Sequence, residues 1–248
     1  MTDSLNRRDF VKLSSAGIAA ASVLGASPTQ AARGANDKLV VALIGCGGRG
    51  MGDAGQFKKL PNVEVAYVCD VDEARLALAA KSFNVPAGKA VNDLRWVLDD
   101  KSVDAVIVAT PDHWHSLAAI LACDAGKHVY VEKPISHNIR EGRLLVEASA
   151  RNKTLVQHGT QSRSTVTMIE AVKRLREGII GDVLVAKCWN IQRRGLLPPG
   201  KDTPPPAGFD YDSWVGPATM IPYRTNRVHQ RWTMWYHFGV GEAGNDGV

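Results

Sequence analysis

The chain has 248 residues, 45% of them hydrophobic and 22% charged, with a formal net charge of +5. That length and apolar content bury a sizeable core, so the chain is globular, with one large or two modest domains. The charge is mild and scattered: its densest clusters, Arg193-Arg194 and Lys173-Arg174-x-Arg176, lack the aromatic interleaving or basic stripe of a nucleic-acid surface and read as solvated faces.

In chain order, the first element is an address. Asn6-Arg7-Arg8-Asp9-Phe10-Val11-Lys12 resembles the twin-arginine export consensus, departing from it in Asn where Ser or Thr is usual and Val where Leu is common. Leu13 to Ala26 is apolar but rich in Ala, Gly and Ser, and Thr29-Gln30-Ala31 places small residues at cleavage positions. The stretch is too short and weakly apolar to span a bilayer stably, and Gly17 and Gly25 argue against an ordinary amphipathic helix. Residues 1–31 are therefore expected to be a signal peptide that hands the folded protein to the twin-arginine machinery, placing it in the periplasm or outside the cell with no stable membrane anchor. Export in the folded state suits a cofactor loaded in the cytoplasm. The four cysteines, Cys46, Cys69, Cys123 and Cys188, have no zinc-like spacing and lie in strands, a helix or a glycine turn, which favours reduced thiols.

From Lys38 to about His158, short β-rich runs alternate with helical periods, as in a parallel sheet with crossover helices. Strands are expected at Leu39–Ile44, Val63–Cys69, Ala105–Ala109, His128–Val131 and Thr154–Gln157, and helices at Met51–Lys59, Glu73–Lys81, Leu94–Leu98, Ser116–Asp124 and Ile139–Asn152. Asn138 with Glu141 has capping-box-like spacing at the start of the last helix. Residues 36–160 are thus a Rossmann-type nucleotide-binding domain.

Between the first strand and first helix lies Gly45-Cys46-Gly47-Gly48-Arg49-Gly50, and Asp70 closes the second apolar run twenty residues past Gly50. A G-x-G-x-x-G turn in that setting is a dinucleotide fingerprint: Gly45 permits the tight turn, Gly47 lets the backbone approach the pyrophosphate, and Gly50 allows close helix–strand packing. Asp70 can accept both ribose hydroxyls of NAD and would repel a 2′-phosphate, so NAD is expected in preference to NADP.

Beyond residue 160 the character changes. Thr165–Glu177 reads as a helix ending at Gly178, Val183–Asn190 as a strand, and Leu197–Gly208 as a proline-rich loop. Phe209 to Phe238 is crowded with aromatic residues interleaved with Arg224, Arg227, His229, Arg231 and His237. This composition fits either a sugar-binding wall, with Trp235 and Tyr236 among its rings, or a set of core aromatics beside a solvated basic loop.

Two further motifs sit at carboxyl ends of strands, where doubly wound sheets bind ligands: Thr110-Pro111-Asp112-His113-Trp114-His115 and Glu132-Lys133-Pro134. His113-x-His115 has the look of a metal pair, but the other histidines lack ligand spacing and no acidic cluster accompanies them, so no metal is expected. With the glycine turn and Ala125-Gly126-Lys127-His128-Val129, these motifs make the chain resemble the Gfo/Idh/MocA family of glucose-fructose oxidoreductases and inositol dehydrogenases, from Lys38 to Val248. The resemblance implies that Thr110, Pro111 and His115 line the nicotinamide side of the site. It also implies that Glu132 and Lys133 contact the nicotinamide ribose, with Lys133 as catalytic acid/base facing a sugar or cyclitol hydroxyl. Arg49 of the turn and Gln161 are expected cofactor contacts, and Arg163, His229, Trp235, Tyr236, His237, Asn245 and Asp246 substrate contacts.

The family usually carries Asp-x-Gly-x-His in its second domain, and here Asn245-Asp246-Gly247-Val248 takes that place, with Asn245 at the Asp position and the histidine beyond the last residue. Three functions stay open: a sugar oxidoreductase; an NAD-dependent glycosidase, since exported relatives include enzymes that oxidise a sugar transiently and eliminate its substituent; and a non-catalytic, nucleotide-carrying sugar-binding protein, suggested by Asn245. Only one strand and one helix are expected after Gln161. The fold expectation is therefore an α/β Rossmann sheet followed by an incomplete α+β second domain at 161–248, a piece of a longer, homo-oligomeric protein that would not turn over sugar alone.

Overall fold

The computed structural model describes residues 38–189, 199–229, 231–241 and 244. Six parallel strands, β1 (Leu39–Ile44), β2 (Val63–Cys69), β3 (Ala90–Val91), β4 (Ala105–Val108), β5 (His128–Glu132) and β6 (Val156–Gly159), form one sheet in the order β3-β2-β1-β4-β5-β6. This is the doubly wound Rossmann order, in which the order of strand addition reverses between β1 and β4 and leaves a crevice at their carboxyl ends. Helices α1 (Gly48–Phe57), α2 (Glu73–Phe83), α3 (Leu94–Asp99), α4 (Asp112–Asp124) and α5 (Ile139–Asn152) make the crossovers.

Each face of the sheet buries its own core. Ala54 of α1 and Ala79 of α2 pack with Val41, Leu43, Val68 and Ile107. Ala118 and Ala122 of α4, with Leu145 and Ala148 of α5, pack with Val106, Val108 and Val129 on the other. Small residues on α4 let it sit close to the strands. Short polar side chains start the helices: Asp72 accepts from the N–H groups of Ala74 and Arg75, Asp93 from Arg95, and Asn138 from Glu141. The expected Asn138 cap at α5 is present, accepting from Glu141 N–H at 3.0 Å, while the Glu141 carboxylate reaches back one residue beyond the cap to the N–H of His137 at 3.2 Å.

The structure departs from expectation at several ends. α1 begins at Gly48 rather than Met51, because the glycine turn itself forms the first helical turn with Gly47 as its cap. α4 begins at Asp112 rather than Ser116, so Asp112, His113, Trp114 and His115 are its first turn and not a loop. β6 runs Val156–Gly159 instead of Thr154–Gln157, because Lys153 ends α5 in the left-handed region. The two-residue β3 was not expected, being too short to show a period.

After β6 come α6 (Val166–Arg176), where a helix was expected, and α7 (Tyr211–Val215), a five-residue helix capped by Asp210 that was not. Residues 183–189 of the expected strand Val183–Asn190 are not a strand; they lie exposed, and among the described residues no other strand pairs with them. An isolated run of β-prone residues has nowhere to place its backbone hydrogen bonds except water. The aromatic stretch resolves toward core: Phe209, Tyr211, Trp214, Val215, Tyr223 and Phe238 form a third buried cluster.

Leu145 is essentially inaccessible, whereas Val146, its neighbour on α5, is 58% exposed. Leu145→Ala is expected to destabilise the fold by about 2–5 kcal/mol, while Val146→Ala stays within about 0.5 kcal/mol. Urea unfolding of both variants checks this, and equal midpoints would contradict the packing of α5.

Candidate functional site

The glycine turn is held at contact distance from β4. Gly45 has φ +94°, and a Cβ there would lie 2.6 Å from the carbonyl oxygen of Ala109; at Gly50 it would lie 2.0 Å from the carbonyl oxygen of Gly45. Around Gly48, by contrast, a Cβ would meet nothing within 4 Å. The inner glycines are thus demanded by packing, and the outer side of the turn is open for a ligand to approach the backbone. The first helical hydrogen bond of α1 runs from Met51 N–H to Gly47 at 2.9 Å, so the N–H groups before it have no α-helical acceptor, the usual condition for anion binding.

Asp70 follows β2 and is fixed to the same turn, its carboxylate accepting from Cys46 N–H at 2.6 Å and Asp72 N–H at 2.9 Å. Burial raises its pKa against these two bonds. The neighbouring thiols of Cys46 and Cys69 are unbridged, and burial pushes both upward.

A cleft of about 840 Å³ runs along the strand ends, lined in part by Gly45, Gly47, Asp70, Thr110, Glu132 and Lys133. The structure therefore brings together residues expected at the two ends of a dinucleotide from four strand ends. Arg49, Pro111 and His115 line it as well. His115 is fully buried, with Nδ1 2.6 Å from the carbonyl oxygen of Pro134 and Nε2 2.8 Å from that of Thr110. It ties the turn after β4 to the turn after β5, and burial lowers its pKa. His113 is similarly engaged, with Nε2 3.0 Å from the Trp214 carbonyl oxygen and Nδ1 3.3 Å from that of Phe238. Burial lowers its pKa to about 4. All four ring nitrogens of the His-x-His pair thus face backbone carbonyls.

Glu132, buried at the end of β5, gathers its neighbours. Arg49 Nη2 lies 2.9 Å from Glu132 Oε1 and 3.1 Å from Asp53, and Gln161 Nε2 donates to both Glu132 and the Tyr130 hydroxyl. Burial, together with the nearby Glu132 charge, raises Asp53 to about 6, opposed by Arg49. Arg49 and Gln161 were expected to touch the cofactor directly; here they brace Glu132, and only Arg49 of the two lines the cleft.

Of the expected substrate residues, His229 lines the cleft, 3.2 Å from Asp72. The other described ones are elsewhere. Arg163 sits exposed on a short turn after β6. Trp235 packs under the Arg227 guanidinium at 4.4 Å, and His237 lies against Phe238. Tyr236 is exposed, its carbonyl 2.9 Å from His137 Nε2, beside a separate hollow of about 390 Å³. Trp235 packs against the aromatic core instead of forming a sugar-facing wall, and neither it nor His237 lines the cleft. Asn245, Asp246 and residues 1–31, where a signal peptide was expected, lie outside the described residues.

Asp112 had no role expected from the sequence, which placed it in a loop before a helix starting at Ser116. It is buried in the cleft wall, with Oδ2 accepting from Val240 N–H at 3.1 Å and Oδ1 lacking a hydrogen-bond partner. Burial raises its pKa to about 7, against that N–H and the Lys133 charge. The hydroxyl of Thr110 is another buried polar atom of the cleft without a partner. These orphaned groups and the open backbone of the turn fit a polar, phosphate-bearing ligand.

Comparison with known proteins agrees. Residues 39–160 match the model of the Gfo/Idh/MocA oxidoreductase family, NAD-binding Rossmann fold, and residues 189–248 that of its C-terminal alpha/beta domain. A Shewanella relative named glycosyl hydrolase family 109 protein 2 is 30% identical over 205 residues, covering 72% of this chain and 44% of the relative. The chain thus spans less than half the length of the curated relatives it matches. Among solved structures, an NAD binding oxidoreductase from Klebsiella pneumoniae is 28% identical with a TM-score of 0.52, covering 58% of this chain and 40% of that one. The WlbA dehydrogenase from Bordetella pertussis, solved with NADH and UDP-GlcNAcA, is 25% identical with a TM-score of 0.54, covering 59% and 42%.

Because the folded protein favours the protonated Asp112 carboxyl, that group's contribution to stability is complete below the ordinary carboxylate range and is lost as pH rises through about 7. Asp112→Asn, which keeps an acceptor for Val240, is therefore expected to gain stability relative to the parent between pH 5 and pH 8. The gain should be about 1 kcal/mol or more, roughly 2–4 °C in Tm. Thermal unfolding at the two pH values checks it; a difference that shrinks with rising pH would contradict the burial of this acid.

Proposed function

We propose a function from the premise that the chain belongs to the Gfo/Idh/MocA oxidoreductase family: it moves a hydride between a nicotinamide cofactor and a sugar or cyclitol hydroxyl. The observation that carries this reading is the single cleft that joins the glycine turn and Asp70 to Thr110, Glu132 and Lys133. NAD, when bound, supplies the hydride acceptor. The turn and the start of α1 hold the pyrophosphate through backbone N–H groups, and Asp70, already oriented by Cys46 and Asp72, takes the adenosine ribose diol. A 2′-phosphate would sit against its carboxylate, which supports NAD over NADP. Glu132, braced by Arg49 and Gln161, holds the end of β5, from which Lys133 enters the cleft. The Lys133 amine takes the proton of the reacting hydroxyl as hydride leaves, and returns it in the reverse direction.

A second reading is favoured by the relatives named as family 109 glycosyl hydrolases: the same residues oxidise the sugar transiently and release its glycosidic substituent. The two differ in product, since a dehydrogenase accumulates reduced cofactor and a glycosidase does not. The leader supports a periplasmic or secreted protein, exported folded by the twin-arginine route, and the family supports a homo-oligomeric full-length form.

Lys133→Ala is expected to lower turnover by about 10²- to 10⁴-fold with nucleotide affinity changed far less. Mass spectrometry of sugar and nucleotide products from a glycan mixture, run on the full-length protein for parent and variant, reads this and separates the two reactions; normal turnover in the variant removes Lys133 from the chemistry. Parent protein should bind NAD more tightly than NADP by about tenfold or more, and Asp70→Ala should narrow that gap. Equal dissociation constants in the parent would exclude the role given to Asp70.

A further inference from the structure

The cleft is not walled by the Rossmann sheet alone. Nearly 140 residues after β2, the segment leading into α7 returns to the loop that carries Asp70. Asp72 and Phe209 form an antiparallel bridge, Asp210 N–H donates to the Val71 carbonyl at 3.0 Å, and Glu73 N–H donates to the Gly208 carbonyl at 2.9 Å. On its other side the segment is held by α4: Trp114 Nε1 donates to the Trp214 carbonyl at 3.0 Å, and His113 approaches the same oxygen. Gly216 (φ +47°) makes this approach feasible, since a Cβ there would lie 2.1 Å from the Trp114 indole. His229 adds a third tie, 3.2 Å from Asp72 with its ring 5.3 Å from Phe209. The result is that Ser213, Trp214, His229 and Trp232 line the same cleft as Asp70, anchored to the strand end that carries it.

We infer that this segment is a second wall of the nucleotide site, closing over the adenosine half of the cofactor and slowing its release. The inference rests on the nucleotide reading above, in which Asp70 marks the adenosine ribose. The wall's chemistry suits that half: the indoles of Trp214 and Trp232 offer apolar surface to a purine, while Ser213 and His229 offer polar groups near the ribose. Its anchors are mainly backbone bonds to Val71, Asp72 and Glu73, so an adenosine group seated between wall and sheet leaves only when those contacts part or the group slides out lengthwise. Binding there also completes a surface made from two distant parts of the chain, which couples nucleotide occupancy to the order of the aromatic cluster.

The test is hydrogen–deuterium exchange of the full chain with ADP-ribose, which lacks the nicotinamide, and separately with nicotinamide mononucleotide. ADP-ribose is expected to slow exchange both in residues 45–51 and in residues 209–216, and nicotinamide mononucleotide to leave 209–216 unchanged. Protection of 45–51 without protection of 209–216 would overturn the second wall while leaving the nucleotide site standing; protection of neither would overturn both. Stopped-flow displacement of bound NADH gives an independent measure. Gly216→Ala, which drives a Cβ into Trp114, and His229→Asn, which keeps a residue tolerant of the left-handed backbone, are each expected to release NADH about tenfold faster or more. Release at the parent rate from both variants would overturn the proposal.

Discussion

Everything at this site depends on how closely the glycine turn approaches the end of β4. Gly45 and Gly50 leave no room for a side chain against Ala109 and against each other, and that contact sets the start of α1 over the crevice. A methyl group at either position would push the helix start away from the strand ends, and the N–H groups would no longer converge on a common anion. The constraint propagates: Asp70 reaches Cys46 N–H because the turn is pinned, and the cleft opens where the chains leaving β1 and β4 run to opposite faces of the sheet.

The second organising feature is the number of carboxyl groups held around one cleft. Asp70, Asp112, Glu132 and, behind them, Asp53 are all largely removed from water, and each is managed differently. Asp70 has two backbone donors, Glu132 has Arg49 and Gln161, Asp53 shares Arg49, and Asp112 has one N–H and one oxygen without a partner. Desolvation penalises the charged form wherever such donors are few: Asp112 and Asp53, each with one oxygen that has no hydrogen-bond partner, are raised to about 7 and about 6, and burial raises Asp70 as well.

The first turn of α4 connects these features to the rest of the chain. His115 faces inward to the β4 and β5 turns, while Asp112, His113 and Trp114 face Val240, Phe238 and Trp214. One helical turn therefore positions the cleft floor and anchors the aromatic cluster at once. The burial of that cluster explains why rings that could have formed a sugar-facing wall became a core: Phe209, Tyr211, Trp214, Tyr223 and Phe238 pack on one another, mostly edge to face or tilted, at centroid separations of about 4.6–6.4 Å, removing most of their area from water.

The sequence by itself determined the sheet and its fingerprint. β1, β2 and α5 are legible residue for residue because buried parallel strands are continuous apolar runs and α5 carries both a cap and a helical period. The spacing of Gly45, Gly47, Gly50 and Asp70 likewise encodes the nucleotide crevice, since each residue answers a local backbone demand. Only the tertiary structure decided what those local patterns could not contain: that residues 183–189 form no strand, that Trp235 packs against the aromatic core, that Arg49 and Gln161 brace Glu132, and that Asp112 meets Val240 across 128 positions. A strand needs a neighbour and a buried charge needs a partner. Neither is written in the residues next to it, so their fate rests on which distant segment the fold brings alongside.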